Sequence, residues 1–284
     1  MDKIILHDIV NKKISNFIKN PFHALLITGQ TGVGKTYLAS NLAASLLNLD
    51  IKKINGSANF LISVDEINTP GMERIKVIKD FLGYKTNYKG VINRIVLIDK
   101  ADLLSIEASN SLLKLLEEPP QGSLIILLSK NKSNILNTII SRVQIIEIIK
   151  PPKEELINFF QTEMSDKNEV LHAYFVSNGL PGLMYDILNN NRQDLNLATD
   201  YARKFLTANN YQRIVLINQF SKDKQMTYYI LKIIQQMSQL NLMQNKINDS
   251  WININKKIYE ALDQINNNTQ PRLVMLNLIV SMIV

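Results

Sequence analysis

The stretch GQTGVGKT, which begins at Gly29, is the first part of the chain whose residue types and spacing indicate chemistry. It fits the pattern G-x-x-x-x-G-K-[ST], in which a glycine-rich turn directs backbone N–H groups toward phosphate oxygens. Lys35 would then reach the β- and γ-phosphates, and the Thr36 hydroxyl would hold Mg²⁺. Gly29, Gly32 and Gly34 would let the backbone curl around the phosphates. The stretch therefore predicts a nucleotide site, with ATP and Mg²⁺ as candidate cofactors.

Asp99 and Ser129, which end the apolar runs RIVLID and SLIILLS, are further candidates for this site. A carboxylate at Asp99 could hold the Mg²⁺ water shell opposite Thr36. Ser129 could hydrogen-bond a γ-phosphate or a water, or be a buried serine that the backbone satisfies. Many ATPases of this class place a glutamate after the aspartate to orient the attacking water. Here that residue is Lys100, whose protonated amine cannot accept a hydrogen bond.

The elements that must position these residues alternate between strand-like and helix-like patterns over residues 1–150. HALLIT, RIVLID and SLIILLS are continuous apolar runs, and TYLASNLAASLLNL and SIEASNSLLKLLEE have helical patterns. Such strands favour an α/β fold with a parallel sheet covered by helices on both faces. After the break at Pro151-Pro152 we expect a small helical domain over 151–194 and an all-α domain over 195–284. The polar stretches QNKINDS and QINNNTQ predict loops in the last domain.

The composition restricts the function and the compartment. A hydrophobic fraction of 46% with 20% charged residues is typical of a soluble globular protein. Residues 1–150 carry 19 Lys and Arg against 13 Asp and Glu, which is +6 of the total +7. That excess suits a polyanion such as nucleotide or DNA, although a solvated lysine-rich surface would look the same. The absence of cysteine excludes disulfides, thiolate metal sites and cysteine nucleophiles.

No targeting or membrane segment is expected. Charges interrupt the stretch MDKIILHDIVNKKISNF, which therefore lacks the apolar core of a signal peptide. The apolar run LVMLNLIVSMIV has 12 residues, fewer than the roughly 20 that span a bilayer. The sequence thus predicts a cytoplasmic protein without a membrane partner.

The run ASNSLLKLLEEPP over residues 108–120 resembles a nearly identical segment of the AAA+ clamp-loader family. HALLITGQTGVGKTYLA resembles the start of that family, and SRV lies where the family has Ser-Arg-Cys. Among its members the chain is most similar to the delta-prime subunit of bacterial DNA polymerase III. The resemblance implies an AAA+ P-loop core over 1–150, a helical lid over 151–194 and a collar domain for oligomerisation over 195–284.

The resemblance also implies a role in DNA replication. Clamp loaders are open hetero-pentamers that place the sliding clamp on primed DNA. Delta-prime subunits act mainly as a stator and donate the arginine of Ser-Arg-Cys to the nucleotide of a neighbouring subunit. By this resemblance Arg142 would be an arginine finger acting in trans, gamma/tau-like and delta-like subunits would be partners, and contact with DNA would be non-specific. The sliding clamp is a further candidate partner. The chain would be part of a polymerase complex without being a polymerase, and a weak or inactive ATPase by itself.

The chain departs from the family at several positions. The four-cysteine zinc module cannot exist, so no zinc is expected, and Val143 replaces the cysteine after Arg142. Leu183 lies where the family's second sensor arginine is expected. An ATP-hydrolysing gamma/tau-like motor subunit is the alternative, because the phosphate loop is intact. A small-molecule phosphoryl transferase would share the loop but would not explain LEEPP or the helical tail.

Overall fold

A parallel sheet of five strands forms the centre of the N-terminal half of the chain. The computed structural model describes residues 5–63, 71–84, 90–163, 166–189, 191–244 and 249–281. The strands are β1 (Ala24–Thr28), β2 (Phe60–Ser63), β3 (Arg94–Ile98), β4 (Ser123–Ser129) and β5 (Gln144–Glu147). Their order in the sheet is β2-β3-β4-β1-β5, and every neighbouring pair is parallel.

Helices accompany the strands and form all of the regular structure that the described residues have after β5. Those up to residue 163 are α1 (Asp8–Lys19), α2 (Lys35–Leu46), α3 (Gly71–Gly83), α4 (Ile106–Glu117), α5 (Asn137–Ile140) and α6 (Lys153–Glu163). The later ones are α7 (Lys167–Ser177), α8 (Pro181–Leu188), α9 (Gln193–Thr207), α10 (Asn210–Phe220), α11 (Lys224–Gln244), α12 (Asp249–Asn266) and α13 (Pro271–Ser281).

The sheet is apolar on both faces because helices cover each of them. On one face Leu25 and Ile126 pack with the buried side chains of α1 and α2. On the other face Leu26 and Ile125 pack with α3, α4 and α5. All residues of β1, β3 and β4 are buried. This arrangement explains why these strands are continuous apolar runs, as is usual for parallel sheets.

The chain divides into two units, each with its own set of buried side chains. The first unit runs to Thr162 and includes Leu180–Leu183, and the second contains the other residues. In the second unit α11 packs against α9 and α12, and α13 packs against α10 and α12. The residues buried there include Ala198, Phe205, Ile230, Ile234, Ile258 and Met275. The division into three domains at 151–194 and 195–284 stays a prediction.

The structure confirms the predicted α/β class and corrects several element boundaries. The strands and helices expected from HALLIT, RIVLID, SLIILLS and their intervening helical patterns are β1, β3, β4, α2 and α4. The loop predicted from QNKINDS is too long, because α11 reaches Gln244 and α12 begins at Asp249, and residues 245–248 lie outside the described residues. The loop predicted from QINNNTQ is also too long, since α12 continues to Asn266. No helix among the described residues is both long and apolar enough to cross a membrane.

The packing of β4 generates a stability prediction. Ile126 is fully buried in the sheet, so Ile126→Ala should leave a cavity and lower the free energy of unfolding by about 2–5 kcal/mol. Val91→Ala is the control, because Val91 is 81% exposed and should change stability little. Denaturant unfolding of the two variants and the parent measures the difference. Equal effects of both substitutions would contradict the described position of β4.

Candidate nucleotide-binding site

The predicted site residues that follow strands meet at one edge of the sheet. Because β1, β3 and β4 run in the same direction, their carboxyl ends lie side by side. Thr28 and Ser129 are paired at this edge, and the N–H of Gly29 donates to the carbonyl of Ser129 at 3.2 Å. Asp99 directly follows β3. Ligands of open α/β sheets bind at this kind of edge.

The phosphate loop has the backbone conformation that its glycines allow. Gly32 and Gly34 have φ angles of 88° and 95°, in the left-handed region that favours glycine. Gly34 is the N-cap of α2 and has no side chain that could accept a hydrogen bond from the first turn. The partial positive charge of the helix N-terminus therefore faces the loop without a side-chain acceptor. This arrangement fits an anionic phosphate group.

Lys35 folds back over the loop. Its Nζ donates to the carbonyl of Gly29 at 2.6 Å and to the carbonyl of Gln30 at 3.1 Å. Burial lowers the pKa of Lys35 below its ordinary value, and the nearby carboxylates of Asp99 and Asp102 oppose this effect. The ammonium group thus lies where the phosphate loop and the residues after β3 come together. A phosphate bound in the loop would exchange contacts with these carbonyls for a charge-assisted contact.

A buried arginine that sequence reasoning missed holds the end of β3. Arg74 on α3 is 5% exposed, and its Nη2 donates to the carbonyl of Asp99 at 2.7 Å. Its Nε donates to the hydroxyl of Ser63 at 2.7 Å, and Nη2 also reaches the Ser63 carbonyl. The N–H of Lys100 donates to the carboxylate of Asp99 at 2.9 Å. These contacts orient the candidate Mg²⁺ ligand, and no motif around Arg74 indicates them.

The other two predicted contacts have different surroundings. The Ser129 side chain is 1% exposed, and its hydroxyl donates to the carbonyl of Asn131 at 2.8 Å. That contact matches the alternative of a backbone-satisfied serine, and a bond to phosphate would need the hydroxyl to turn. Thr36 is exposed in the first turn of α2. No group of three or more His, Cys, Asp or Glu side chains among the described residues is arranged to hold a metal ion. Thr36 and Asp99 fit Mg²⁺ only together with nucleotide oxygens.

The segment Leu180–Leu183 packs directly on the phosphate loop within the first unit. The N–H of Leu183 donates to the carbonyl of Gly32 at 2.8 Å. A Cβ at Gly182 would lie 2.8 Å from the N of Gly34, closer than side chains come to backbone. The absence of a side chain at Gly182 therefore allows this contact. The sequence GLPG predicts an interruption between helices, but it does not indicate this role.

Arg142 lies at the amino ends of the strands, whereas the phosphate loop lies at their carboxyl ends. It precedes β5, whose residues pair with β1 from Leu25 onward. The phosphate loop follows the other end of β1, a strand of five residues and roughly 16 Å at about 3.3 Å per residue. The Arg142 side chain is 37% exposed, and its guanidinium forms an ion pair with Glu117 at 2.9 Å. The structure thus separates Arg142 from the other predicted site residues.

Comparisons with known proteins match this arrangement of sheet and loop. A family model described as "DNA polymerase III, delta subunit" matches residues 7–152, just over half of the chain. DNA polymerase III subunit tau of Bacillus subtilis is 30% identical over 50% of this chain and 28% of its own length. DNA polymerase III subunit gamma of Buchnera aphidicola is 32% identical over 56% of this chain and 47% of its own length. DNA polymerase III subunit delta′ of Pseudomonas aeruginosa is 29% identical over 42% and 41%. The chain thus spans less than half of the length of these relatives.

Solved structures support the fold. A DNA polymerase III gamma subunit-related protein from Thermotoga maritima has a TM-score of 0.63 and 19% identity, over 97% of this chain and 99% of that chain. RuvB from Thermotoga maritima has a TM-score of 0.51 and 15% identity, over 72% and 78%. At these identities the likeness shows the fold alone. It confirms the predicted parallel sheet with flanking helices.

The close contact at Gly182 generates a prediction for the loop. Gly182→Ala adds a Cβ 2.8 Å from the N of Gly34 and 2.9 Å from the carbonyl O of Gly32, so the backbone must shift. Overpacking of this kind should lower the free energy of unfolding by about 1–3 kcal/mol. Gly56→Ala is the control, since a Cβ there meets nothing within 4 Å. Denaturant unfolding checks this, and equal stability of the two variants would be inconsistent with the contact.

Proposed function

Since the chain belongs to the DNA polymerase III delta-subunit family, we propose that it is a clamp-loader subunit that acts in DNA replication mainly as a stator. In this role it joins gamma/tau-like and delta-like subunits in a hetero-pentamer that places the sliding clamp on primed DNA. Its own contribution to ATP hydrolysis is Arg142, donated to the nucleotide of a neighbouring subunit. The relatives are named tau, gamma and delta′ subunits, and these mixed names support a clamp-loader subunit more strongly than the delta-prime-like role.

The position of Arg142 carries this proposal. The five residues of β1 separate Arg142 from the phosphate loop of its own chain. A role in cis would require the guanidinium to lie at the carboxyl ends of the strands, where the loop is. Its side chain is partly exposed, as contact with another subunit requires. A guanidinium placed in trans would neutralise the charge that develops on the γ-phosphate. This contribution needs no hydrolysis by the chain that supplies it.

ATP with Mg²⁺ is the nucleotide that we propose for the chain's own site. Lys35 would bind the β- and γ-phosphates, the N-terminus of α2 would face them, and Ser129 would lie beside the γ-phosphate. Thr36 and Asp99 would hold Mg²⁺, which neutralises phosphate charge when it is bound. Lys100 follows Asp99 and is exposed. Because a protonated amine has no hydrogen-bond acceptor, it cannot orient the attacking water. Binding with little hydrolysis is therefore the behaviour that these residues support.

The proposed partners follow from charge as well as from the family. The +6 balance over residues 1–150 favours contact with the phosphate backbone of DNA, which is non-specific and weakened by salt. The sliding clamp is proposed as a further partner of the assembly. The second candidate function is a gamma/tau-like motor subunit that hydrolyses ATP. The complete phosphate loop favours it, because a stator has no need to keep Lys35 and Thr36 in place.

Nucleotide binding by the isolated chain tests the loop. Lys35→Ala removes the ammonium that would contact the phosphates, and we expect ATP affinity to fall by about tenfold to a hundredfold. Lys53→Ala is the control, since it removes an exposed lysine outside the loop. Titration calorimetry with ATP and Mg²⁺ gives both dissociation constants. Equal affinities in the two variants would refute the assignment of Lys35.

Turnover by the isolated chain separates stator from motor. We expect ATP hydrolysis far below about 1 per second with primed DNA present, because Lys100 offers no base to orient a water. Competent enzymes begin near about 1 per second, so this rate is the dividing value. A phosphate-release assay measures it, and the Lys35→Ala variant shows the background from contaminating ATPases. Turnover near or above 1 per second that depends on Lys35 would favour the motor instead.

The reconstituted clamp loader tests the arginine finger. Arg142→Ala should leave assembly intact and lower DNA-stimulated turnover at the site that it serves by about 10³-fold or more. Arg142→Lys keeps the charge but loses the planar fork of donors, so it should restore only part of the rate. Size-exclusion chromatography checks assembly, and phosphate release checks turnover. Normal turnover by an assembled Arg142→Ala loader would exclude the finger.

A further inference from the structure

The guanidinium of Arg142 is held from two sides by its own chain. Its Nη1 donates to the carbonyl of Thr138 at 2.9 Å and to the hydroxyl of Ser141 at 3.1 Å. Its Nη2 lies 2.9 Å from the carboxylate Oε1 of Glu117. Thr138 and Ser141 belong to the turn that carries Arg142, whereas Glu117 comes from the end of α4. Glu117 is thus the contact that ties this side chain to a separate element.

Glu117 is placed by rigid structure rather than by a loose surface loop. It is the last residue of α4, whose buried residues Leu112, Leu115 and Leu116 pack under the sheet. Ser105 caps the start of the same helix by accepting from the N–H of Ala108. A carboxylate at the end of a packed helix has a defined position. It can therefore restrict the rotamers of Arg142 beyond what the contacts with Thr138 and Ser141 do.

The contacts leave the guanidinium able to bind an anion. Arginine has five N–H donors, and three acceptors among the described residues, on Thr138, Ser141 and Glu117, engage them. Two donors are therefore uncommitted within the part of the chain that the structure describes. The side chain is 37% exposed, so a phosphate oxygen from another molecule can approach. Arg142 is restrained without being fully occupied.

We propose that Glu117 is a positioning residue for Arg142, which it orients toward the nucleotide of the neighbouring subunit. This inference rests on the proposed trans role of Arg142. A long side chain loses considerable rotamer freedom when it engages a phosphate, and a side chain already held in place loses less. The pair is half exposed, and such pairs contribute little to stability. The effect of Glu117 should therefore appear in turnover and not in folding.

The experiment measures turnover of the reconstituted loader with clamp and primed DNA. Glu117→Ala should lower kcat roughly three- to tenfold with little change in KM for ATP, because positioning acts on the reacting geometry. Glu117→Gln should stay within about twofold of the parent, since its amide oxygen still accepts from the guanidinium. Glu118→Ala is the matched control, because it removes the same charge from the next residue. Glu117→Ala in an Arg142→Ala background should change nothing further.

A second measurement on the isolated chain does not depend on the partner subunits. The order parameter of the Arg142 Nε–H group in nuclear magnetic resonance should be high in the parent and fall below about 0.6 in Glu117→Ala. Arg142→Lys assigns the signal by its loss, and Glu117→Gln should keep it ordered.

The outcomes separate this inference from the proposed function. If Arg142→Ala lowers turnover but Glu117→Ala does not, the finger stands and the positioning role is wrong. If Glu117→Ala acts equally with and without Arg142, or leaves the Arg142 order parameter unchanged, the positioning role is also wrong. Normal turnover in Arg142→Ala removes the finger itself and the inference with it, whatever the order parameter shows.

Discussion

The parallel direction of the five strands is the constraint on which the arrangement of functional residues depends. In a parallel sheet all carboxyl ends lie at one edge and all amino ends lie at the other. Residues that follow β1, β3 and β4 must therefore gather, and residues that precede β5 must lie at the far edge. One chain thus presents a candidate nucleotide site at the carboxyl ends of its strands and Arg142 at their amino ends. In the proposed assembly these two surfaces would belong to two neighbouring nucleotide sites.

The nucleotide edge is built from backbone as much as from side chains. Lys35 is held by two loop carbonyls, and Arg74 is held by carbonyls at the ends of β2 and β3. Because both cations are half-buried or buried, their hydrogen bonds are stronger than they would be in water. These contacts hold the loop and the end of β3 without a ligand. A bound phosphate would replace the two loop carbonyls as the partner of Lys35.

The opposite edge depends on a local turn and one helix end. Arg142 is anchored by its own turn and by Glu117 of the LEEPP stretch, so two motifs far apart in sequence form one contact. In the sequence Pro119 and Pro120, which follow Glu117 and Glu118, indicate a helix stop. In the structure Glu117 also has a charge partner. The LEEPP stretch can thus both end α4 and orient Arg142.

Much of the fold could be predicted from the sequence because buried strands and amphipathic helices have strong local patterns. The runs that become β1, β3 and β4 are continuously apolar in their centres. The edge strands β2 and β5 are partly exposed and were not predicted from the sequence. The lengths of the helices on either side of QNKINDS were predicted too short, since polar residues on helical turns resemble loop residues. Arg74 and Gly182 have no local signal, because their partners come from distant parts of the chain.

The sequence by itself determined the phosphate loop, the aspartate after a buried strand and the parallel character of the sheet, since each depends on neighbouring residues and short-range backbone preference. Only the tertiary structure decided that Arg142 stands across the sheet from that loop, that Glu117 holds it, and that Gly182 touches Gly34. These are contacts between segments far apart in the chain. Their geometry follows from how the helices and strands pack, and residue spacing does not encode it.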